Sequence, residues 1–103
     1  MSRYTLRPKA ERDLFDHEDY LAENASPETA ARFVDAFESS VLLLATHPEM
    51  GVLREYRRPE LAGQRMFPVS DFENYLIFYM PRRDVVEVTR VIYAKRNIRA
   101  LCA

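Results

Sequence analysis

Two arginines stand within stretches that otherwise favour β-strands. Arg90 interrupts an apolar run, and Arg65 lies at the start of an earlier strand-like run. The planar guanidinium group suits phosphate or carboxylate recognition, so both residues are candidates for contact with a nucleic acid or an acidic protein. The alternative is a structural ion pair within the chain. Strand alternation predicts that Arg90 lies on the same face as Val86, Val88 and Ile92. The carboxylates considered as structural partners are Asp71, Glu73 and Glu87.

Charge is distributed unevenly along the chain, although the formal net charge is only -1. Acidic residues outnumber basic ones from Arg7 to Glu38, whereas the second half is rich in arginine and lysine. This asymmetry predicts one acidic and one basic face, and the basic face either binds a partner or is simply solvated. The basic residues concerned are Arg54, Arg57, Arg58, Arg65, Arg82, Arg83, Arg90, Lys95, Arg96 and Arg99.

Several classes of enzyme are disfavoured by the residues that they would need. The chain has only two glycines, so no glycine-rich loop can bind a phosphate group. His17 and His47 show no metal-ligand spacing with each other or with Cys102, and no Ser-His-Asp or Cys-His set is persuasive. We therefore expect no metal ion and no cofactor, and interpret His17 as a half-buried packing residue. A solvated helix surface is expected for the carboxylates Glu11, Asp13, Asp16, Glu18 and Asp19.

The cysteine content and the N-terminus predict a cytoplasmic protein. Cys102 is the single cysteine and cannot form an internal disulfide, which fits a reducing compartment. The first residues are not an apolar signal segment, and no stretch approaches the roughly 20 apolar residues of a membrane span.

The sequence pattern predicts one short strand, then two helices, then three further strands. Ser26 is expected to cap the second helix, and the pair His47-Pro48 to end it. The predicted helices cover Lys9–Asn24 and Pro27–Thr46. Residues Met50–Gly63 show no steady period and are interpreted as a loop. The predicted strands are Arg3–Arg7, Gln64–Val69, Asn74–Met80 and Val85–Tyr93.

The order β-α-α-β-β-β predicts an α+β fold. We expect one domain over residues 1–103, in which a helix hairpin packs on one face of a mainly antiparallel sheet. The predicted core consists of Leu14, Leu21, Phe33, Phe37, Val41, Leu44, Ile77, Val88 and Ile92.

Several segments, taken in order, resemble one bacterial protein family. Leu6–Leu14 is similar to the opening of ParE-type toxins, in which a first strand runs into an Ala-x-x-Asp-Leu helix. Leu44–Gly51 resembles their Leu-x-x-x-Pro-x-x-Gly bend. Three later segments resemble the closing strands of these toxins, namely Arg65–Val69, Tyr75–Tyr79 and Val88–Asn97. The chain is therefore identified as resembling the ParE/RelE toxin superfamily over nearly its whole length.

The resemblance implies a toxin of a type II toxin–antitoxin system, of the kind linked to plasmid stabilisation. It implies a hetero-oligomer with a cognate ParD-like antitoxin, and two possible targets. ParE-like members inhibit DNA gyrase, whereas RelE-like members are ribosome-dependent mRNA endoribonucleases.

The sequence favours the ParE branch. Leu76 stands where RelE-like toxins often carry arginine. The leucine cannot supply the positive charge with which a ribonuclease stabilises phosphate. Tyr93 stands where many ParE-like proteins carry histidine, while the pair Lys95-Arg96 resembles one kept in RelE-like proteins. We therefore favour a gyrase inhibitor without a hydrolytic site, with the ribonuclease as the alternative. The residues expected to bind the target are Arg65, Arg90, Tyr93, Lys95 and Arg96.

Overall fold

The computed structural model describes residues 3–54 and 63–94. Two helices pack on one face of a five-stranded sheet. The elements are β1 (Tyr4–Leu6), α1 (Pro8–Asn24), α2 (Pro27–Thr46), β2 (Val52–Leu53), β3 (Arg65–Val69), β4 (Phe72–Pro81) and β5 (Val86–Tyr93). This α+β architecture confirms the predicted fold.

Local sequence signals mark the start of both helices. Pro8 and Pro27 occupy the first turn of their helices, where a backbone N–H would have no partner within the helix, so its absence costs nothing. The Ser26 side chain accepts a hydrogen bond of 3.0 Å from the backbone N–H of Thr29, so the predicted N-cap is confirmed. The predicted bounds of α2 are confirmed at both ends, and α1 begins one residue earlier than predicted.

The sheet is mixed, with the strand order β1-β5-β4-β3-β2. The predicted meander of β3, β4 and β5 is confirmed as antiparallel, while β1 pairs with β5 in parallel. The interpretation of residues Met50–Gly63 as a loop was wrong at Val52–Leu53, which form the short edge strand β2. Two residues are too few to show a strand period, so only their pairing with β3 reveals the strand.

A bulge at Thr89 changes which residues of β5 face the helices. Tyr79 pairs with Val88, but Phe78 pairs with Arg90, so Thr89 has no partner in the register. The Thr89 hydroxyl donates to the Phe78 carbonyl at 3.1 Å and accepts from the buried Gln64 amide at 2.7 Å. The extra residue shifts the alternation by one.

The predicted face of β5 was therefore wrong in part. Val86 and Val88 face the helices, but beyond the bulge this place is taken by Val91. Ile92 packs instead with a second cluster on the opposite face. Arg90 pairs with Phe78, a member of that second cluster, and so projects from the opposite face as well.

The main core lies between the helices and the sheet. Six of the predicted core residues are buried there, namely Phe33, Phe37, Val41, Leu44, Ile77 and Val88. Leu14 and Leu21 are partly buried and pack against this core. Ile92 does not belong to it. The second cluster has as its buried members Leu76, Phe78 and Ala94.

Side chains of α1 complete the hydrogen bonding at the edge of β5. The partner strand β1 has only three residues and ends before it reaches Val91. The backbone N–H of Val91 donates to Asp13 Oδ2 at 3.0 Å, and its carbonyl accepts from His17 Nε2 at 2.7 Å. Because a carbonyl can only accept, Nε2 of His17 carries a proton. Two residues one helical turn apart thus take the place of a neighbouring strand.

Asp13 also forms an ion pair with Arg90. Arg90 Nε donates to Asp13 Oδ2 at 2.7 Å, and Nη2 donates to Oδ1 at 3.1 Å. Two parallel hydrogen bonds of this kind restrict both side chains and join α1 to β5.

Within residues 3–54 and 63–94, no helix is long and apolar enough to cross a lipid bilayer.

Replacement of Phe37 by alanine should destabilise the fold strongly. The Phe37 side chain is 2 % exposed, so Phe37→Ala is expected to cost about 3–5 kcal/mol of unfolding free energy. Phe15, on α1, is 67 % exposed, and Phe15→Ala is the matched control, expected to change stability by less than about 0.5 kcal/mol. Urea denaturation measures both values. Equal effects of the two substitutions would contradict the assignment of the core.

A double-mutant cycle on Asp13 and Arg90 should show energetic coupling. Asp13→Ala, Arg90→Ala and the double variant are expected to give a coupling energy of about 1–2 kcal/mol in urea denaturation. The matched control is the exposed pair of Arg82 and Glu87, whose nearest atoms are 3.0 Å apart. An exposed pair of this kind contributes about 0.5 kcal/mol or less. Coupling at Asp13 no larger than in the control would show that the edge of β5 does not depend on this ion pair.

Candidate functional site

Arg65 braces the bend that follows α2. Its Nη1 donates to the carbonyl of Gly51 at 2.7 Å and to that of Glu49 at 3.1 Å. Arg65 pairs with Tyr79 on β4, and both lie on the face that the helices cover. The guanidinium group therefore has a structural role, the alternative considered from the sequence, but its partners here are backbone carbonyls and not the suggested carboxylates.

Tyr79 holds the same bend from inside the core. Its hydroxyl donates to the Pro48 carbonyl at 2.8 Å and accepts from the Gly51 N–H at 2.9 Å. Burial is the main cause that raises the pKa of Tyr79, so this hydroxyl stays protonated and keeps its role as a donor. A Cβ atom at Gly51 would lie 2.4 Å from the hydroxyl oxygen, so only glycine fits there without a shift of the ring.

Arg90 is engaged by Asp13, and this hydrogen bond raises the pKa of its guanidinium group above the ordinary value. None of the three carboxylates suggested as structural partners from the sequence takes this place. Arg65 pairs with Tyr79 of β4, and Arg90 pairs with Phe78 of the same strand. Because adjacent residues of a strand face opposite sides, the two arginines start from opposite faces of the sheet. The structure therefore does not bring these two arginines together into one site.

Tyr93 contributes to a groove between α1 and the adjoining ends of β4 and β5. Its ring centroid lies 4.7 Å from that of Tyr75, which in turn lies 5.0 Å from the ring of His17. Together with Tyr20, these residues line a cavity of about 360 Å³, here called the tyrosine groove. The side chains of Tyr20 and Tyr93 are 60 % and 45 % exposed, so two aromatic rings are accessible from outside.

Carboxylates border the tyrosine groove. It continues into a depression at the β3–β4 turn that Asp71 and Glu73 line together with the groove's tyrosines. Glu73 Oε2 accepts a hydrogen bond of 2.9 Å from the backbone N–H of Asp71, so the Glu73 side chain is held at this turn. Burial, and after it the neighbouring Tyr93 and Tyr20, raise the pKa of Tyr75. The described lining of the groove is thus aromatic and acidic, not basic.

Sequence reasoning missed Tyr20 and Tyr75. The pairing of Tyr75 with Tyr93 depends on the bulge at Thr89, because an unbroken hairpin register would place Ile92 opposite Tyr75. The one available signal was Tyr20, a large aromatic residue three positions after His17 on the predicted helix. Residues three apart on a helix share a face.

The remaining predicted binding residues, Lys95 and Arg96, lie outside the described residues. Leu76, which stands where RelE-like toxins often carry arginine, is 3 % exposed and belongs to the second apolar cluster. No group of three or more metal-ligating side chains occurs within the described part of the chain. Arg65, Arg90 and His17 are each engaged in hydrogen bonds within the chain.

Comparison with solved structures identifies relatives of this fold. One is a chain in the structure titled "Chromosomal ParDE TA system from P. aeruginosa", with a TM-score of 0.73 and 19 % sequence identity. The match covers 92 % of this chain and 98 % of the other. At this identity the likeness establishes a shared fold.

Comparison with protein families is more specific. No curated protein sequence matches this one significantly. Residues 4–98, however, match the family described as "ParE toxin of type II toxin-antitoxin system, parDE". This match extends from β1 beyond the end of β5 and so includes both helices and the whole sheet. The chain therefore belongs to the ParE toxin family of type II toxin–antitoxin systems.

Proposed function

We propose that this toxin inhibits DNA gyrase by binding it, and that a cognate ParD-like antitoxin neutralises it in the cytoplasm. The observation that carries the proposal is the family match over residues 4–98. The related fold in a ParDE system supports the same pairing of toxin and antitoxin. A binding mode of inhibition requires an exposed surface with charged and aromatic groups, and it requires no set of reacting side chains.

The described residues offer poor support for RNA cleavage. A ribonuclease must withdraw a proton from a 2′-hydroxyl group and stabilise negative charge on phosphate. Leu76 is buried and apolar, so it supplies no charged group for this purpose. Tyr93 lies beside a depression lined by Asp71 and Glu73, whose negative charge repels phosphate. These features favour gyrase binding over the ribonuclease alternative.

The proposed contact with gyrase centres on the end of β5. Arg90 and Tyr93 belong to this strand, and Lys95 and Arg96 follow it directly in the sequence. Arg65 lies on the other side of β4 and braces the bend after α2. We therefore propose that Arg65 supports the fold of the toxin, and that the other four residues contact the target.

Substitution of Arg96 should abolish the trapping of gyrase on DNA. Loss of a charge-assisted contact within an interface costs about 2–5 kcal/mol, so Arg96→Ala should weaken trapping by about 30-fold or more. Arg82→Ala is the control, because Arg82 is exposed at the β4–β5 turn and pairs with Glu87. Trapping is measured as cleaved plasmid DNA after denaturation of the covalent complex. Circular dichroism checks the fold of each variant.

Arg90 requires a second comparison because it has a structural partner. Asp13→Ala removes the ion pair but leaves the charge of Arg90, whereas Arg90→Ala removes both. If Arg90 contacts gyrase, Arg90→Ala reduces the amount of gyrase trapped per folded toxin molecule, whereas Asp13→Ala does not. If the wild-type chain traps no gyrase and instead cuts ribosome-bound mRNA, the proposal is wrong and the ribonuclease alternative is correct.

Neutralisation is tested by co-expression with the adjacent short open reading frame. The product should restore growth of cells that express the toxin and should copurify with it as a hetero-oligomer. Antitoxin segments of this kind commonly fold as they bind. An unrelated small antitoxin from another locus is the control and should restore no growth. A toxin that accumulates harmlessly without any antitoxin would contradict the proposed pair.

A further inference from the structure

The tyrosine groove has the composition of a site for a cation. The exposed rings of Tyr20 and Tyr93 lie beside Tyr75, and the faces of aromatic rings carry partial negative charge. A guanidinium or ammonium group within about 6 Å of such rings is attracted to them. The groove's volume, about 360 Å³, exceeds what a single side chain needs, so a segment of polypeptide can approach with its side chain inside.

Carboxylates surround the groove on two sides. Asp71 and Glu73 line its continuation at the β3–β4 turn. On α1, Asp16 and Glu23 lie four residues before and three residues after Tyr20, on the same side of the helix. From Asp13 to Ala31 the sequence contains no lysine or arginine; the nearest cation along this side of the helix is Arg12, one turn before Asp16.

The groove lies on the helix-covered face of the sheet, whereas the guanidinium group of Arg90 is held at the edge of β5 by Asp13. Its acidic border distinguishes it from the basic residues proposed to contact gyrase, while Tyr93 belongs to both surfaces. A nucleobase would stack on the same rings, but its phosphate would meet the carboxylates of the border. A protein segment with a basic side chain suits both the rings and the border.

We propose that the tyrosine groove binds an arginine side chain presented by a protein partner. The guanidinium group packs against the exposed rings of Tyr20 and Tyr93, with the buried Tyr75 beneath them, while its N–H groups face the carboxylates of Asp71 and Glu73. Arginine suits this site better than lysine because its flat, weakly hydrated group stacks on aromatic faces. This inference does not depend on the identity of the toxin's target.

The test uses short capped peptides and the full chain. The peptide Ac-Gly-Arg-Gly-NH2 should shift the aromatic NMR resonances of Tyr20, Tyr75 and Tyr93 in a saturable way. The same peptide with citrulline has nearly the same shape without the charge, and should bind about tenfold more weakly. Glu73→Gln and Tyr93→Leu should each weaken binding of the arginine peptide several-fold. Phe15→Ala and Glu28→Gln, which alter an aromatic ring and a carboxylate elsewhere, are matched controls and should leave it unchanged.

Three results would overturn the proposal. One is the absence of any saturable shift with the arginine peptide, and another is equal affinity for the citrulline peptide. The third is a stronger response of the same resonances to adenosine monophosphate, which would identify a nucleobase site. None of these measurements involves gyrase or the antitoxin, so their outcome is separate from that of the proposed function.

Discussion

The position of α1 on the sheet depends on two hydrogen bonds to a single residue of β5. Because β1 is only three residues long, the N–H and carbonyl of Val91 have no strand beside them. Asp13 and His17 satisfy both groups, and an unpaired backbone group away from water would be costly. These contacts fix α1 at the edge of β5, and thereby place Tyr20 beside Tyr75 and Tyr93. The ion pair to Arg90 and the tyrosine groove are both consequences of the same attachment.

The elements that local signals specify were predicted correctly, whereas the bulge at Thr89 and the edge strand β2, which only strand pairing reveals, were not. Helical spacing with Ser26, Pro27 and Pro48 determines α2 without reference to any other segment. The bulge at Thr89 has no comparable signal, because an extra residue in a strand of branched side chains leaves its composition unchanged. Its effect is nevertheless large, since it reverses the faces of Arg90 and Ile92. The edge strand β2 escaped prediction for a similar reason.

The candidate site shows the same division. Arginine at positions 65 and 90 attracted attention by residue type, but type does not disclose the partner. Arg90 pairs with Asp13, 77 positions earlier in the chain, and such a contact exists only after α1 has docked. Tyr93 was selected because it stands where many ParE-like proteins carry histidine, whereas its neighbours Tyr20 and Tyr75 come from two other elements. Family membership, in contrast, followed from the order of weak motifs along nearly the whole chain.

The contact between Tyr79 and Gly51 has a consequence for sequence change within the family. The tyrosine hydroxyl satisfies two backbone groups of the bend, and the glycine leaves the space that its ring occupies. Any larger residue at position 51 forces the ring of Tyr79 to shift, and a phenylalanine at position 79 leaves the bend without its internal donor. The two positions should therefore vary together, and related sequences with alanine at the first should have a smaller side chain at the second. Such sequences should close the bend through other hydrogen bonds.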